Sequence, residues 1–314
     1  MKTAAFHTLG CKVNQYDTQA MLEKFRAAGY EIVPFDADAD VYVINTCTVT
    51  GTGDKKSLQL ARRLRREHPD SALILAGCLA QRKPEDLLET GARLVIGTQH
   101  RSEVVELLEK ALRENTSINA VNELNATTPF EPLTITSQEE HTRATLKIQE
   151  GCNNHCTYCI IPKIRGNYRS VPMETLIEQA KQLAEQGVKE LILVAQETTI
   201  YGTDLYGKKS LHLLLKELCK IPGIVWIRVL YCYPEEIYPE LIETIRDEKK
   251  ICHYLDLPIQ HASDRILKRM GRRTSKQQLV DIVSTLRKEI PDIVLRTTLI
   301  LSLIHISEPT RHAQ

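Results

Sequence analysis

Short apolar runs alternate with amphipathic stretches along most of this chain, and the two periodicities assign its elements. Residues 3–8, 41–46, 72–77 and 94–96 are short apolar runs, the last three rich in Val, Ile and Leu, the pattern of strands buried on both faces. Helical spacing fills 15–28, 55–67 and 84–90, and a further helix follows at 101–113. Gly29 stands where the first helix should stop, and Pro69 follows the second. Strand–helix alternation of this kind predicts a parallel sheet with helices on its faces, so residues 1–114 are expected to form an α/β domain.

Residues 115–141 interrupt the pattern with a polar, Pro-containing stretch that includes Asn115-Thr116-Ser117 and Ser137-Gln138-Glu139-Glu140. This predicts a linker. A second series then begins. Its expected strands are 144–149, 190–195, 225–231, 254–258 and 293–298, and its expected helices are 174–186, 211–219, 236–247, 263–269 and 276–288. Five such units with no sign of sheet reversal suggest an open or partial TIM-like barrel over 142–301, although a doubly wound sheet has the same signature. Residues 302–314 do not continue the alternation.

Composition narrows the class. Hydrophobic residues at 42% and charged residues at 26% of 314 are ordinary for a globular protein. No apolar run approaches the roughly 18–20 residues of a membrane span, and Met1-Lys2-Thr3 does not open a signal peptide. A cytoplasmic location is expected. The net charge of +1 supplies no global attraction to nucleic acid. Nine cysteines, an odd number in a long chain, argue against a disulfide framework and toward metal, catalysis or burial.

Three cysteines form the strongest local signal. Gly151-Cys152-Asn153-Asn154-His155-Cys156-Thr157-Tyr158-Cys159 has the spacing C-x3-C-x2-C, just after the first strand of the second series. Three thiolates on one loop suit three irons of a 4Fe–4S cluster, with the fourth iron open to an outside ligand. A structural zinc site wants four protein ligands and usually a second C-x2-C, which this chain lacks; His155 is an awkwardly placed fourth donor. A second signal is positional. Cys11, Cys47 and Cys78 each follow the end of a predicted strand, where open parallel sheets collect ligands. Small thiols also fill tight corners, but Gly10 and Gly77 directly before two of them permit close backbone approach. Cys219, Cys232 and Cys252 have no partners at ligand spacing and are expected in the core. The basic runs Arg62-Arg63-Leu64-Arg65-Arg66 and Lys268-Arg269-Met270-Gly271-Arg272-Arg273 suit either phosphate contacts or solvated helix faces.

These motifs resemble a family. The cysteine loop, with an aromatic residue before its last cysteine, is similar to that of the radical S-adenosylmethionine enzymes. Together with Thr8-Leu9-Gly10-Cys11-Lys12-Val13-Asn14, Asn45-Thr46-Cys47-Thr48-Val49-Thr50 and Ala76-Gly77-Cys78-Leu79-Ala80-Gln81, it resembles the methylthiotransferases (MiaB, MtaB and RimO) over residues 1 to about 300. Residues 1–154 resemble the MtaB branch, which acts on threonylcarbamoyl-adenosine of tRNA. Ile160-Ile161-Pro162-Lys163-Ile164-Arg165-Gly166 and Leu257-Pro258-Ile259-Gln260-His261 resemble the RimO branch, which acts on an aspartate of a small-subunit ribosomal protein. The change of text near Gly151-Cys152 suggests a join of two paralogues. Members of the family also carry further barrel elements and a TRAM domain. The expectation here is a truncated radical SAM barrel with neither, ended by a foreign tail at 302–314.

The resemblance implies two 4Fe–4S clusters and S-adenosyl-L-methionine as cofactors. The cluster on Cys152, Cys156 and Cys159 would bind and reductively cleave S-adenosylmethionine, giving a radical that opens an unactivated C–H bond. The cluster on Cys11, Cys47 and Cys78 would hold the sulfur to be inserted, and a second S-adenosylmethionine would methylate it. Tyr158 is expected near the adenine, Gln196 and Glu197 near the methionine amino group, and Arg296 at its carboxylate or in an ion pair. No side chain stands out as an acid, base or nucleophile. Expected partners are tRNA or the ribosomal protein and an electron donor such as flavodoxin or ferredoxin, for a monomer with no membrane association. The contrasting reading is a zinc-stabilised RNA-binding module without catalysis.

Overall fold

A computed structural model describes residues 2–125, 128, 130, 131, 133, 135 and 142–300. The chain divides into two compact units. The first holds residues 1–139 together with Lys163–Asn167, and the second holds the remainder.

In the first unit, β1 (Thr3–Thr8), β2 (Glu31–Val33), β3 (Val41–Thr46), β4 (Ala72–Gly77), β5 (Leu94–Ile96) and β6 (Ile118–Asn119) form one parallel sheet in the order β2-β1-β3-β4-β5-β6. Helices α1 (Lys12–Ala27), α2 (Gly51–Glu67), α3 (Cys78–Arg82), α4 (Pro84–Leu88) and α5 (Val104–Arg113) connect the strands. Alternation along each strand sends neighbouring side chains to opposite faces. Val41, Val43 and Ile74 pack with Met21 and Phe25 of α1 and Leu108 of α5. Tyr42, Ile44, Leu73 and Leu75 pack on the other face with Ala61 and Leu64 of α2 and Leu79 and Leu87. Helix–sheet–helix layering therefore follows from strands whose central positions are apolar on both faces. The strand order reverses between β1 and β3. That is the switch point at which such sheets open a crevice beyond their carboxyl ends.

The second unit contains β7 (Arg143–Lys147), β8 (Gln149–Glu150), β9 (Arg169–Ser170), β10 (Glu190–Val194), β11 (Trp226–Val229), β12 (Ile251–Asp256) and β13 (Val294–Arg296). Helix α6 (Ile161–Arg165) leads from this unit into the first. Helices α7 (Met173–Glu185), α8 (Thr203–Tyr206), α9 (Leu211–Cys219), α10 (Pro239–Asp247), α11 (Asp264–Arg269) and α12 (Lys276–Glu289) follow. Strands β7, β10, β11, β12 and β13 pair in chain order and all in parallel, while β8 and β9 form a small antiparallel ribbon. A sheet with no reversal is a barrel wall rather than a doubly wound sheet. Leu146, Leu191, Leu193, Ile227 and Leu255 of the strands are buried, as are Leu176 and Leu183 of α7 and Leu211, Leu215 and Leu218 of α9. On the edge strand β13, Val294 is 60% exposed.

Three differences from the sequence-based expectation stand out. β2 and β6 have three and two residues, too short to carry a period. The stretch expected as a linker supplies β6 and buries Glu131, Leu133 and Ile135 in the first unit. The residues just after the cysteine loop belong to the first unit instead of the second. The tail at 302–314 lies outside the described residues, among which no helix is long and apolar enough to cross a membrane.

Two half-buried imidazoles give the fold a pH dependence. His7 packs on Phe35 at 4.7 Å, and burial, then Arg63, lowers its pKa. His212 shares a 3.1 Å hydrogen bond with the Tyr238 hydroxyl, and burial likewise lowers its pKa. Both are held neutral in the fold while the unfolded chain takes up protons first. Stability should therefore fall as pH drops below the ordinary histidine value of about 6.5. Thermal unfolding compared at pH 7.5 and 5.5 checks this. His212→Gln should lose less than the wild type over that interval, and an equal loss would contradict the assignment.

Candidate metal and cofactor sites

The carboxyl ends of β1, β3 and β4 place the first three cysteines. Cys11 caps the amino end of α1, Cys47 follows β3, and Cys78 opens α3. Cys11 is exposed, Cys47 half-buried and Cys78 buried. Cys11 and Cys47 flank the switch point, and the three strand ends are tied together by polar contacts. The Thr46 hydroxyl donates to the Ala76 carbonyl (2.6 Å) and accepts from the backbone of Leu79 (3.2 Å) and Ala80 (3.3 Å). Asn14 Nδ2 donates to the carbonyls of Leu9 (2.8 Å) and Thr46 (3.0 Å). Gly10 is needed for space and for conformation. At φ +108°, an added Cβ would lie 3.1 Å from the Cys47 sulfur. Gly77 is at φ +92°, and its Cβ would meet Asn45 Oδ1 at 2.1 Å. Burial raises the pKa of Cys47 and of Cys78; Arg165 opposes the rise at Cys78, and Cys11 adds to it at both.

Beneath this trio lies a buried charge network. Asp17 forms an ion pair with Arg101 (2.5 Å) and accepts from Arg165 (2.8 Å), and Arg101 also donates to Glu131 (2.9 Å). Asp17, Arg101 and Arg165 are each 1% exposed.

The second trio lies at the carboxyl end of the second unit's sheet, the end at which barrels place their chemistry. Cys152 and Cys156 are buried, and Cys159 is half-buried. Burial pushes the Cys152 thiol up to about 12 and raises that of Cys159. Neighbouring strand ends brace the loop. The Gly151 N–H donates to Gln196 Oε1 at 2.7 Å, after β10. Thr157 N–H donates to the Met270 carbonyl at 3.0 Å, and its hydroxyl donates to the Arg269 carbonyl at 3.0 Å. Gly271, at φ +70°, lets the following turn approach; a Cβ there would sit 3.1 Å from the His155 carbonyl.

Each expected cofactor residue has a definite place. Gln196 holds the loop through Gly151. Glu197 is 1% exposed; its Oε1 accepts from the Thr199 N–H (2.9 Å) and from the Thr199 hydroxyl, while Oε2 is buried without a hydrogen-bond partner. Burial raises its pKa to about 7, with Thr199 opposing. Tyr158 is 40% exposed, with its phenol pKa raised by burial and then by Cys156. Arg296 pairs with buried Asp256 at 3.0 Å and remains 60% exposed, so the ion-pair alternative describes its contact. Of the cysteines expected in the core, Cys232 is buried, whereas Cys219 and Cys252 are half-buried.

Other residues here escaped sequence reasoning. The Tyr233 hydroxyl lies 3.7 Å from the Cys156 sulfur, and Arg272 stacks 3.8 Å above the Tyr233 ring. Arg272 also forms a fork with Glu235 at 3.1 and 3.0 Å. Within its basic run Arg272 is buried and Arg273 is not, so neither a solvated face nor a phosphate contact describes Arg272. Tyr231 and Gln260, just beyond β11 and β12, adopt left-handed backbone at φ +60° and +71°. Such strain in non-glycine residues collects at functional sites.

Both trios fit iron–sulfur ligation. The donors are soft thiols, the first trio comes from strand ends that share hydrogen bonds and the second from one braced loop, and Gly10 leaves room beside the Cys47 sulfur. Among the described residues, no three His, Cys, Asp or Glu side chains converge on a single ion. Three cysteines that each hold a different corner of a cluster need no such convergence, whereas a structural zinc site does.

Comparison with known proteins finds relatives for both parts of the chain. Residues 3–97 match the family described as "Uncharacterized protein family UPF0004", and residues 146–308 match the radical SAM superfamily. The second match runs into the stretch expected to be foreign. "Ribosomal protein uS12 methylthiotransferase RimO" of Lachnoclostridium phytofermentans is 48% identical over 308 residues, covering 94% of this chain and 68% of the relative. The protein of the same name from Clostridium perfringens strain SM101 is 44% identical over 299 residues, covering 94% and 67%. Each aligns across both halves, so a join of paralogues is not needed to account for them. Among solved structures, the cobalamin-dependent radical enzyme OxsB shares the fold with a TM-score of 0.64 at 15% identity over 98% of this chain. This chain spans 51% of that structure's length. The methyltransferase TsrM from Kitasatospora setae does so with a TM-score of 0.64 at 12% identity, covering 95% of this chain and 69% of its own.

The charge network beneath the first trio makes a stability prediction. Asp17→Ala removes the carboxylate that both buried guanidiniums face and should cost about 3–5 kcal/mol. Denaturant unfolding of the first unit within the full chain measures it; a loss below about 1 kcal/mol would show that the network is not the support described.

Proposed function

This chain belongs to the radical S-adenosylmethionine methylthiotransferases, and on that basis we propose that it replaces an unactivated C–H hydrogen of ribosomal protein uS12 with a methylthio group. The substrate reading rests on the relatives, whose names specify uS12. They lend no support to the tRNA alternative. By the family resemblance the modified position would be an aspartate.

The observation that carries the activity is the second trio. Three thiols sit on one short loop at the carboxyl end of a parallel sheet, braced by Gln196, with the orphaned carboxylate oxygen of Glu197 near Cys152. Cys152, Cys156 and Cys159 would hold a 4Fe–4S cluster and leave one iron for S-adenosylmethionine. Cys11, Cys47 and Cys78 would hold the second cluster. Bound together, clusters and cofactor supply one-electron chemistry that side chains cannot perform.

The chain's own part is binding and orientation. Gln196 fixes the start of the loop, so the three sulfurs present a set geometry. Glu197 keeps one carboxylate oxygen for an ammonium donor, and a buried carboxylate without a partner gains most from such a charged guest. Tyr158, half-exposed beside Cys156, offers a ring face for a purine. An electron donor of the flavodoxin or ferredoxin class would deliver the reducing electrons.

Two variants separate the roles. After anaerobic reconstitution, the wild type should bind about eight irons, the sum for two 4Fe–4S clusters. Cys152→Ala with Cys156→Ala and Cys159→Ala should keep about half of that iron and lose all cleavage of S-adenosylmethionine. Cys47→Ala should still cleave S-adenosylmethionine but add no methylthio group to uS12, as read by mass spectrometry of the protein. Colourless protein holding zinc, or full methylthiolation by Cys47→Ala, would overturn the proposal. A product found on tRNA nucleosides and not on uS12 would overturn the substrate alone.

A further inference from the structure

The first trio has a buried cation at its base that comes from a distant part of the chain. Helix α6 ends at Arg165, where Gly166 turns the backbone at φ +71°. The Thr98 hydroxyl donates to the Ile164 carbonyl at 2.7 Å and anchors this end in the first unit. Arg165 is 1% exposed. Its Nη2 donates to Asn14 Oδ1 at 2.7 Å and to the Cys78 sulfur at 3.4 Å, and its Nη1 donates to Asp17 at 2.8 Å.

Asn14 makes this contact more than local. The same side chain donates to the carbonyls of Leu9 and Thr46, which precede Cys11 and Cys47 in the chain. Its Oδ1 also lies 3.8 Å from the Cys78 sulfur. The Arg165–Asn14 pair therefore touches the backbone leading to two cysteines and the sulfur of the third. Charge is balanced as well. Arg165 and Arg101 face Asp17 and Glu131, so removing Arg165 leaves that buried group with a net negative charge.

We propose that Arg165 is a positioning residue of the first trio, donating to the Cys78 sulfur so as to steady the iron–sulfur cluster held there and raise its reduction potential. This rests on the reading that Cys11, Cys47 and Cys78 hold a cluster. Hydrogen bonds to ligand sulfur and nearby positive charge both favour the more negative, reduced state. Groups that orient metal ligands commonly change metal affinity by about 10–100-fold when altered.

The full chain carrying Cys152→Ala, Cys156→Ala and Cys159→Ala retains only the first trio, so its cluster is read alone. In that background Arg165, Arg165→Lys and Arg165→Gln are compared by EPR-monitored redox titration and by the rate at which a ferrous chelator strips iron. The Gln variant should titrate at a lower potential and lose iron about tenfold faster. The Lys variant, which keeps the charge but not the planar fork, should fall between. Loss of iron from a folded Gln variant that the Lys variant retains supports the same conclusion. If Gln fails to fold by circular dichroism, the Lys variant decides: a lowered potential supports the role, and an unchanged one overturns it. Equal potentials and equal stripping rates in all three overturn it outright. A background protein that binds no iron at all with Arg165 in place defeats the cluster reading itself, which is a separate outcome.

Discussion

Parallel strands all end on one side, and that constraint organises everything chemical in this protein. A cysteine placed after any strand of a parallel sheet arrives at the same edge as one placed after any other. Cys11, Cys47 and Cys78 are far apart in sequence, yet they follow β1, β3 and β4, and the hydroxyl of Thr46 and the amide of Asn14 lace those ends together. The second unit applies the same rule differently. There all three cysteines lie on one loop, and the neighbouring strand ends contribute the braces Gln196, Thr199 and Tyr233.

The two sites differ in how they are supported. The first rests on ions: Asp17, Arg101, Glu131 and Arg165 are buried together, a costly arrangement unless each charge is met. Such a network gives a fixed platform, since any displacement leaves a charge unpaired. The second rests on close approach and stacking. Gly271 lets a turn close on the loop, and Arg272 lies flat on Tyr233, whose hydroxyl reaches Cys156. It also keeps a buried carboxylate oxygen of Glu197 without a hydrogen-bond partner.

Much of this architecture was legible in the sequence because short, largely apolar runs set between helical stretches leave little ambiguity. The runs at 3–8, 41–46, 72–77 and 94–96 coincide with β1, β3, β4 and β5. β2 and β6 were not legible because strands of two or three residues have no period to detect. The stretch after residue 115 read as a linker since its burial depends on Arg101 pairing with Glu131, a contact no local pattern announces. The six cysteines stood out by spacing and by position after strands. Arg165 and Arg272 did not, because a buried arginine and a solvated one look alike until their partners are known. In both cases a glycine next in the chain or just before, Gly166 and Gly271, was the available hint of tight packing.

The most direct measurement of the central claim is Mössbauer spectroscopy of anaerobically reconstituted full-length chain, with and without S-adenosylmethionine. Two trios that each leave one iron open predict two 4Fe–4S clusters, with the cofactor altering a unique iron in one of them and leaving the other cluster's signal in place. A single cluster, or two whose spectra ignore S-adenosylmethionine, would contradict the account.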